Sequence, residues 1–393
     1  MKRMATWWLE WLEGVASGWR QPLLYYGAAL ALAVGWRRVK RERRDFHVRV
    51  YSLWQEWGGL WTKGWMAGAM LSAAAVGIGI AVPQEAVWTV TVLTVLFSLT
   101  MEARLLSPAY TVGGALLVFG LAERSSALSR WLPDGMAAAP ALAVWLALLL
   151  LSEGWLIIRT RNEAASPQLA KSKRGMTVGL QWTQRLWFVP VVLPVSGGAL
   201  PPASWWPLVS TGDGYSFWLV PFLLGFSQRR QHMLPAEAAR AEGRLVVRLA
   251  FVVALLAASG IWYPPLAVAA GAMAIIGREW IAFSGHRADR ARPPRFARHP
   301  HGLVIVGVLP GSKAEKMGLS IGEVIIKTNG APVRTETEFY EALQRNRAFC
   351  KLDVVGHNGE VRFVQGALYE DEHHELGLLF VRDRNASASE AVS

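Results

Sequence analysis

HGLVIVGVLPGSKAEKMGLSIGEVIIKTNGAPV, residues 301–333, differs in texture from everything before it. Two β-rich runs, LVIVGVL from Leu303 and EVIIKTN from Glu323, are separated by a Pro310-Gly311-Ser312 turn and by Gly318 and Gly322. β-Branched residues suit a pleated, half-buried surface, and Asn329-Gly330 supplies the turn that closes the second run. Downstream, ETEFYEALQRN (336–346) has helical spacing, with Phe339, Ala342 and Leu343 at i, i+3 and i+4 on one face. Three more short runs follow, CKLDVV, VRFVQ and LGLLFV, the first two joined by a His357-Asn358-Gly359 hairpin turn. Residues 301–381 are therefore expected to form one small α+β domain, long enough for a single core. The closing RDRNASASEAVS, residues 382–393, is low-complexity and expected to be disordered.

The first 283 residues are of another kind. Over the whole chain 52% of residues are apolar, 18% are charged, and mean hydropathy is +0.24, a poor composition for a soluble globular protein. The apolar residues gather in runs near the length that a bilayer demands, at 21–36, 65–83, 86–101, 107–122, 137–158, 186–200, 215–227, 245–262 and 264–283. The expected fold class is a polytopic α-helical membrane domain of about nine spans at 1–283, followed by the α+β domain. The two weakest runs carry Pro190, Pro194 and Pro221, and read equally as two crossings or one re-entrant pair; the parity is the same. Trp36, Trp65, Trp88, Trp155, Trp187, Trp218 and Trp262 sit at run ends, as in interfacial aromatic belts. Gly68, Ala69, Ser72, Ala73, Ala75, Gly77 and Gly79 form a small-residue stretch suited to close helix–helix packing.

Charge gives the orientation. Residues 1–300 hold 31 Lys/Arg against 16 Asp/Glu, whereas 301–393 hold 10 against 13, so the pI of 10.1 belongs to the membrane part. That basicity is a topology signal and speaks against a nucleic-acid partner. With the N-terminus outside, the inner loops and their flanks, RRVKRERR at 37–44 among them, carry 26 Lys/Arg and the outer loops five. The last third of the chain is thereby expected in the cytoplasm, where the single Cys350 needs no disulfide partner. MKRMATWWLEWLEG at the start reads as a Trp-rich interfacial segment, since it lacks a small-residue cleavage site. GHRADRARPPRFARHP, ending at residue 300, reads as a basic linker (284–300) that buries no core and lies against an anionic inner leaflet.

Enzyme motifs are missing where they would be expected. A zinc protease needs two His one helical turn apart with Glu between them, and that spacing does not occur; His373-His374-Glu375 lacks the second partner. Leu132-Pro133-Asp134-Gly135 has no His pair to join, and Ser196-Gly197-Gly198 lacks the setting of a serine nucleophile. No metal or cofactor is expected. Glu153 and Arg248, each near the inner end of a run, read as snorkelling side chains.

The order of elements in 301–381 resembles the PDZ family in its bacterial form, carried by Gly302-Leu303-Val304-Ile305, by VLPGSKAEKMGLSIGEVIIKTNGAPV and by the 336–346 helix. Glu323 stands where the family usually has Asp, which keeps a carboxylate in place. The resemblance implies β-augmentation, an extended peptide adding beside the first strand. On that reading His301, Gly302 and Leu303 supply backbone donors to a terminal carboxylate. Leu303, Ile305 and Gly307, on the strand that includes Val304, line the floor, and Phe339, Ala342 and Leu343 line the wall. Helical spacing is the same for core and groove, and taken singly Phe339 and Leu343 read as core before wall. A run of spans ending in one cytoplasmic PDZ domain resembles in layout the MinJ family of cell-division topological determinants in Firmicutes. That resemblance implies a non-catalytic adaptor at septum and poles that links a DivIVA-like polar scaffold to a MinD-like ATPase and MinC. A PDZ-containing regulator of membrane proteolysis is the alternative.

Overall fold

The computed structural model describes residues 12–14, 16, 18, 21–123, 125–130, 135–160, 165–172, 175–202, 206–209, 212, 214–346, 349–367 and 376–381. Most of the opening Trp-rich segment, Leu132-Pro133-Asp134, His373-His374-Glu375 and the 382–393 tail lie outside them. Apart from single turns at Ala103–Leu106 and Ser126–Ser129, six helices come first among the described residues: α1 (Pro22–Phe46), α2 (Trp54–Thr62), α3 (Gly64–Ile78), α4 (Gln84–Ser98), α5 (Pro108–Ala122) and α6 (Gly135–Ile158). Proline at the first helical position starts α1 and α5, where its missing N–H costs nothing. Two further long helices, α7 (Pro235–Gly260) and α8 (Pro264–Ala291), follow the strands described next. Among the described residues three helices are long and apolar enough to cross a membrane, Met136–Ile158 within α6, α7 and α8; α4 and α5 are shorter apolar helices.

The runs at 186–200 and 215–227 are strands, which corrects the expectation of nine helical spans. They belong to β2 (Thr177–Leu200) and β3 (Tyr215–Arg230), paired antiparallel from Gln181↔Arg230 to Ser196↔Tyr215, with β1 (Ala165–Lys171) on the other edge of β2. The local reason is composition. Proline inside a helix removes a hydrogen bond and clashes with the preceding turn, while Val189, Val191, Val192 and Val195 favour extended backbone. Trp187, Val189, Val191 and Leu193 of β2 and Val220 and Leu224 of β3 are buried in the same core as Leu116, Leu146 and Val253 of the helices.

A strand in apolar surroundings must satisfy both edges. β3 covers one edge of β2, and β1 covers the other only over Thr177–Thr183. Beyond that, α3 lies against the open edge. The Val192 N–H donates to Ser72 Oγ (2.9 Å), and a Cβ on Gly64 or Gly68 would fall 1.8 or 2.2 Å from the carbonyl oxygens of Phe188 and Pro190. Further along, Val82 N–H donates to Pro194 O (3.1 Å) and Ser196 N–H to Val82 O (3.1 Å). The small-residue stretch thus permits close approach of a helix to a strand, in place of a second helix.

Helix–helix contacts use other glycines. Gly154 of α6 meets Gly243 of α7, and Gly113 of α5 meets Gly271 of α8, each close enough that a Cβ would fall about 3 Å from the opposite carbonyl.

The second unit is a five-strand antiparallel path, β7-β6-β5-β4-β8, formed by β4 (Leu303–Val308), β5 (Val324–Thr328), β6 (Phe349–Val355), β7 (Val361–Ala367) and β8 (Leu378–Phe380). Helix α9 (Glu336–Gln344) packs on it, and Ile305, Ile325, Phe339, Leu352 and Phe380 form the core. The opposite face of β4 does not meet water. Val304 and Val306 join Phe46, Tyr51, Leu234 and Phe296 in a separate buried cluster. The Gly179 N–H donates to Phe296 O and Gln181 Nε2 to Val306 O, both at 2.6 Å. Residues 284–291 continue α8 and Phe296 is wholly buried, so the segment expected to bury nothing docks the tail domain on α1, β1 and β2.

Gly68→Ala should therefore destabilise the protein by about 1–3 kcal/mol, because the methyl group must displace backbone. Gly77→Ala, where nothing lies within 4 Å, should be neutral or stabilising by up to ~1 kcal/mol. Thermal unfolding of the two purified variants in one detergent checks the contrast; equal midpoints would refute the helix-on-strand contact.

Candidate peptide-binding site

β4 is an interior strand. β5 pairs with it at Leu303 and Val304, and β8 takes the other edge at Ile305, Gly307 and Val308. A peptide has no open edge there, which corrects the expected groove floor. Leu303 and Ile305 point into the domain core, and Val304 points to the cluster shared with Phe46 and Phe296. A Cβ on Gly307 would touch Leu379 and Pro167. Gly302 is wedged against β5, where a Cβ would lie 2.5 Å from Ile325 O, and its amide turns back to His299. His301 is exposed on that turn. The structure keeps 301–307 together as a strand and its lead-in, but not as the rim of a groove.

The wall residues fare differently. Phe339, Ala342 and Leu343 share the buried face of α9, at 0%, 3% and 3% exposure, so all three are core. Phe339 stacks edge-on against Phe380 of β8 (5.3 Å between centroids) and against Tyr340 (5.3 Å). Thr335 caps the helix by accepting from Glu338 N–H (3.2 Å). Asn329 holds its far end, Nδ2 donating to Ala342 O (3.0 Å) while Oδ1 accepts from Lys351 N–H (2.9 Å). The Asn-Gly turn read from the sequence thus also fixes α9 to the sheet. The Glu323 carboxylate accepts from Ser320 N–H (2.9 Å) and from Arg362 (2.7 Å), tying the turn before β5 to β7.

On this side the sheet ends at β8, which pairs with β4 alone among the described residues, as β7 ends it on the other side. Its lead-in is anchored by carbonyls: Leu376 O accepts from Ala314 N–H (3.0 Å) and Gly377 O from Leu309 N–H (2.8 Å). Gly377 has φ of 81° and sits so close to Ser312 that a Cβ would fall 2.3 Å from that residue's own Cβ. Phe339 against Phe380 brings α9 beside this edge. The sequence carried a signal, a glycine followed by three apolar residues at 377–380, but nothing local says which strand ends a sheet.

Among the described residues no group of three His, Cys, Asp or Glu could hold a metal. Cys350 is buried, and burial pushes its thiol up to about 12, leaving it an inert core residue at neutral pH. Arg248 is exposed. Glu153 does not snorkel: it is wholly buried, accepting from Ser107 Oγ (2.7 Å) and Arg278 (3.4 Å). Arg278 also reaches Glu242 (2.9 Å), and Glu242 accepts from Arg230 (3.0 Å). Two carboxylates and two guanidiniums balance, and the Gly154–Gly243 contact places Glu153 and Glu242 on either side of Arg278.

These features define a membrane-associated PDZ protein whose PDZ fold is seated on a core of apolar helices and a strand hairpin. A PDZ-domain family profile matches residues 304–355, from β4 to the end of β6, and stops short of β8. Along its whole length the chain belongs to the MinJ family of cell-division topological determinants. It is 39% identical over 383 residues to the cell division topological determinant MinJ of Bacillus subtilis (strain 168), covering 96% of each chain. It is also 26% identical over 387 residues to the probable cell division topological determinant MinJ of Lacticaseibacillus paracasei, covering 92% of this chain and 96% of that one.

Phe339→Ala should cost about 3–5 kcal/mol and loosen the whole tail domain. Hydrogen exchange on the full chain checks this: faster exchange throughout β4 to β8 is expected, and protection unchanged outside α9 would assign Phe339 to a groove wall instead of the core.

Proposed function

We propose that the chain is a non-catalytic membrane adaptor in division-site selection, with its PDZ domain in the cytoplasm. The observation that carries this reading is the 39% identity to a cell-division topological determinant over 96% of both chains. By the family resemblance, its partners are a DivIVA-like polar scaffold and a MinD-like ATPase acting with MinC, at septum and poles. A partner segment adds as a strand beside β8, with α9 as the facing wall and the Leu376–Leu378 backbone in the role that the sequence suggested for His301–Leu303. Docking through Phe296 and Val306 supports this function by holding the edge of β8 in one place relative to the membrane part.

The same reading sets the topology. On it the seven helices that hold apolar runs, α1 and α3 to α8, are the crossings, and α6, α7 and α8 are long and apolar enough by themselves. An odd number keeps the N-terminus outside and the Lys/Arg-rich loops inside. The β2–β3 hairpin enters and returns on the same side, so with α2 it leaves the parity unchanged.

A fluorescent fusion at native level should form bands at septa and poles that disperse when the polar scaffold is deleted. Uniform membrane fluorescence in both strains would overturn the adaptor reading. Orientation is read separately with a membrane-impermeant maleimide on intact cells, helped by the inert Cys350. Ser126→Cys, between α5 and α6, should label, and Asn358→Cys, on the β6–β7 turn, should label only after lysis; the reverse pattern would invert the topology.

A further inference from the structure

Helix α1 outlasts its apolar part. Trp36 is exposed at the end of that part with Lys40 over its ring (5.4 Å), the usual mark of an interface, and Arg37 and Arg41 follow within the next turn and a half. There a cavity of about 210 Å³ opens between α1, the Met101-Glu102 turn after α4, Trp182 of β2 and Arg229 of β3. Three guanidiniums line it against one carboxylate, Glu102, which reaches Arg229 at 3.7 Å.

Two of the three arginines are gathered on one ring. Arg41 lies 3.4 Å from the centroid of Trp182 and Arg229 4.7 Å, so like charges share an indole. The ring itself is fixed, buried and donating from Nε1 to Ser227 Oγ (2.9 Å). Burial, together with the neighbouring Arg229 and Arg37, lowers the pKa of Arg41 to about 10, so the pocket opposes further positive charge. Buried Gln184 adds an amide to the same wall.

We propose that this pocket binds a phosphate group carried by an anionic phospholipid headgroup at the membrane surface. Planar guanidinium forks match phosphate oxygens in pairs, and an anion would relieve the repulsion that Glu102 alone leaves. Basic pockets between membrane helices on the cytoplasmic side are natural headgroup sites. Two walls favour a lipid over free phosphate: Val34, on the apolar part of α1, and Met101 line the same cavity, so a ligand with a phosphate and an apolar tail matches both ends. The inner-leaflet placement rests on the topology proposed above, but binding in nanodiscs, where both leaflets are accessible, does not.

The test uses the full chain in phosphatidylcholine nanodiscs doped with phosphatidylglycerol, with retained lipid counted by native mass spectrometry after release. Wild type should retain phosphatidylglycerol over phosphatidylcholine, and R41Q/R229Q should lower that retention about tenfold. R43Q/R44Q removes equal charge from exposed positions of the same helix and should leave it unchanged. E102Q should raise retention about two- to threefold, by removing the competing carboxylate; it decides the matter if R41Q/R229Q fails to fold. Equal losses in both double variants, no headgroup preference in wild type, or no gain in E102Q would overturn the pocket. Soluble glycerol 3-phosphate displacing the lipid at matching concentration would assign the site to a free phosphate and overturn the lipid assignment.

Discussion

Hydrogen-bond satisfaction along the backbone of β2 is the constraint on which the rest of this structure depends. Twenty-four residues of strand run from the docked PDZ fold into the core of the apolar helices, and neither end can leave N–H or C=O groups unpaired without a cost of several kcal/mol each in apolar surroundings. β3 solves one edge from Gln181 to Ser196. The other is met by β1 over Thr177–Thr183, by Ser72 of α3 at Val192 and by Val82 at Pro194 and Ser196, with the glycine face of α3 packed close against the strand. Each solution fixes a neighbouring element, so the position of α3, the extended stretch before α4 and the start of the tail domain all follow from one strand.

That strand also changes what the PDZ domain is mechanically. A PDZ on a flexible basic tether would gain local concentration beneath the membrane and little else. Here Gly179 and Gln181 of β2 bond directly to Phe296 and Val306, and Phe46 at the end of α1 packs under the sheet. The domain is held by one face while β8 stays at the sheet edge. On the adaptor role proposed above, an edge strand held in one place lowers the entropic cost of engaging partners bound to the same membrane.

Charge is handled in two opposite ways. Inside the bundle Glu153, Glu242, Arg230 and Arg278 are matched in number and mutually bonded, the condition under which buried ions are tolerable. In the pocket beside α1, Arg37, Arg41 and Arg229 outnumber Glu102, and Arg41 and Arg229 lean on Trp182. A balanced cluster locks α6, α7 and α8 together; an unbalanced one stays available to an outside anion.

The sequence by itself determined what local chemistry can determine. The Gly-punctuated β runs of 301–333, the turn at Asn329-Gly330, the α9 face of Phe339, Ala342 and Leu343 and the whole-chain family likeness were all legible there. So was the oddness of 186–200 and 215–227, because proline in the interior of a helix removes a hydrogen bond and clashes with the preceding turn. Tertiary structure alone decided that those runs pair as strands, that Glu153 meets Arg278, that Phe296 is buried, and that β8, not β4, ends the sheet. Strand order, ion pairing across helices and the burial of a linker depend on residues far apart in the chain, and alternation or helical spacing in one segment carries no information about which distant segment will lie beside it.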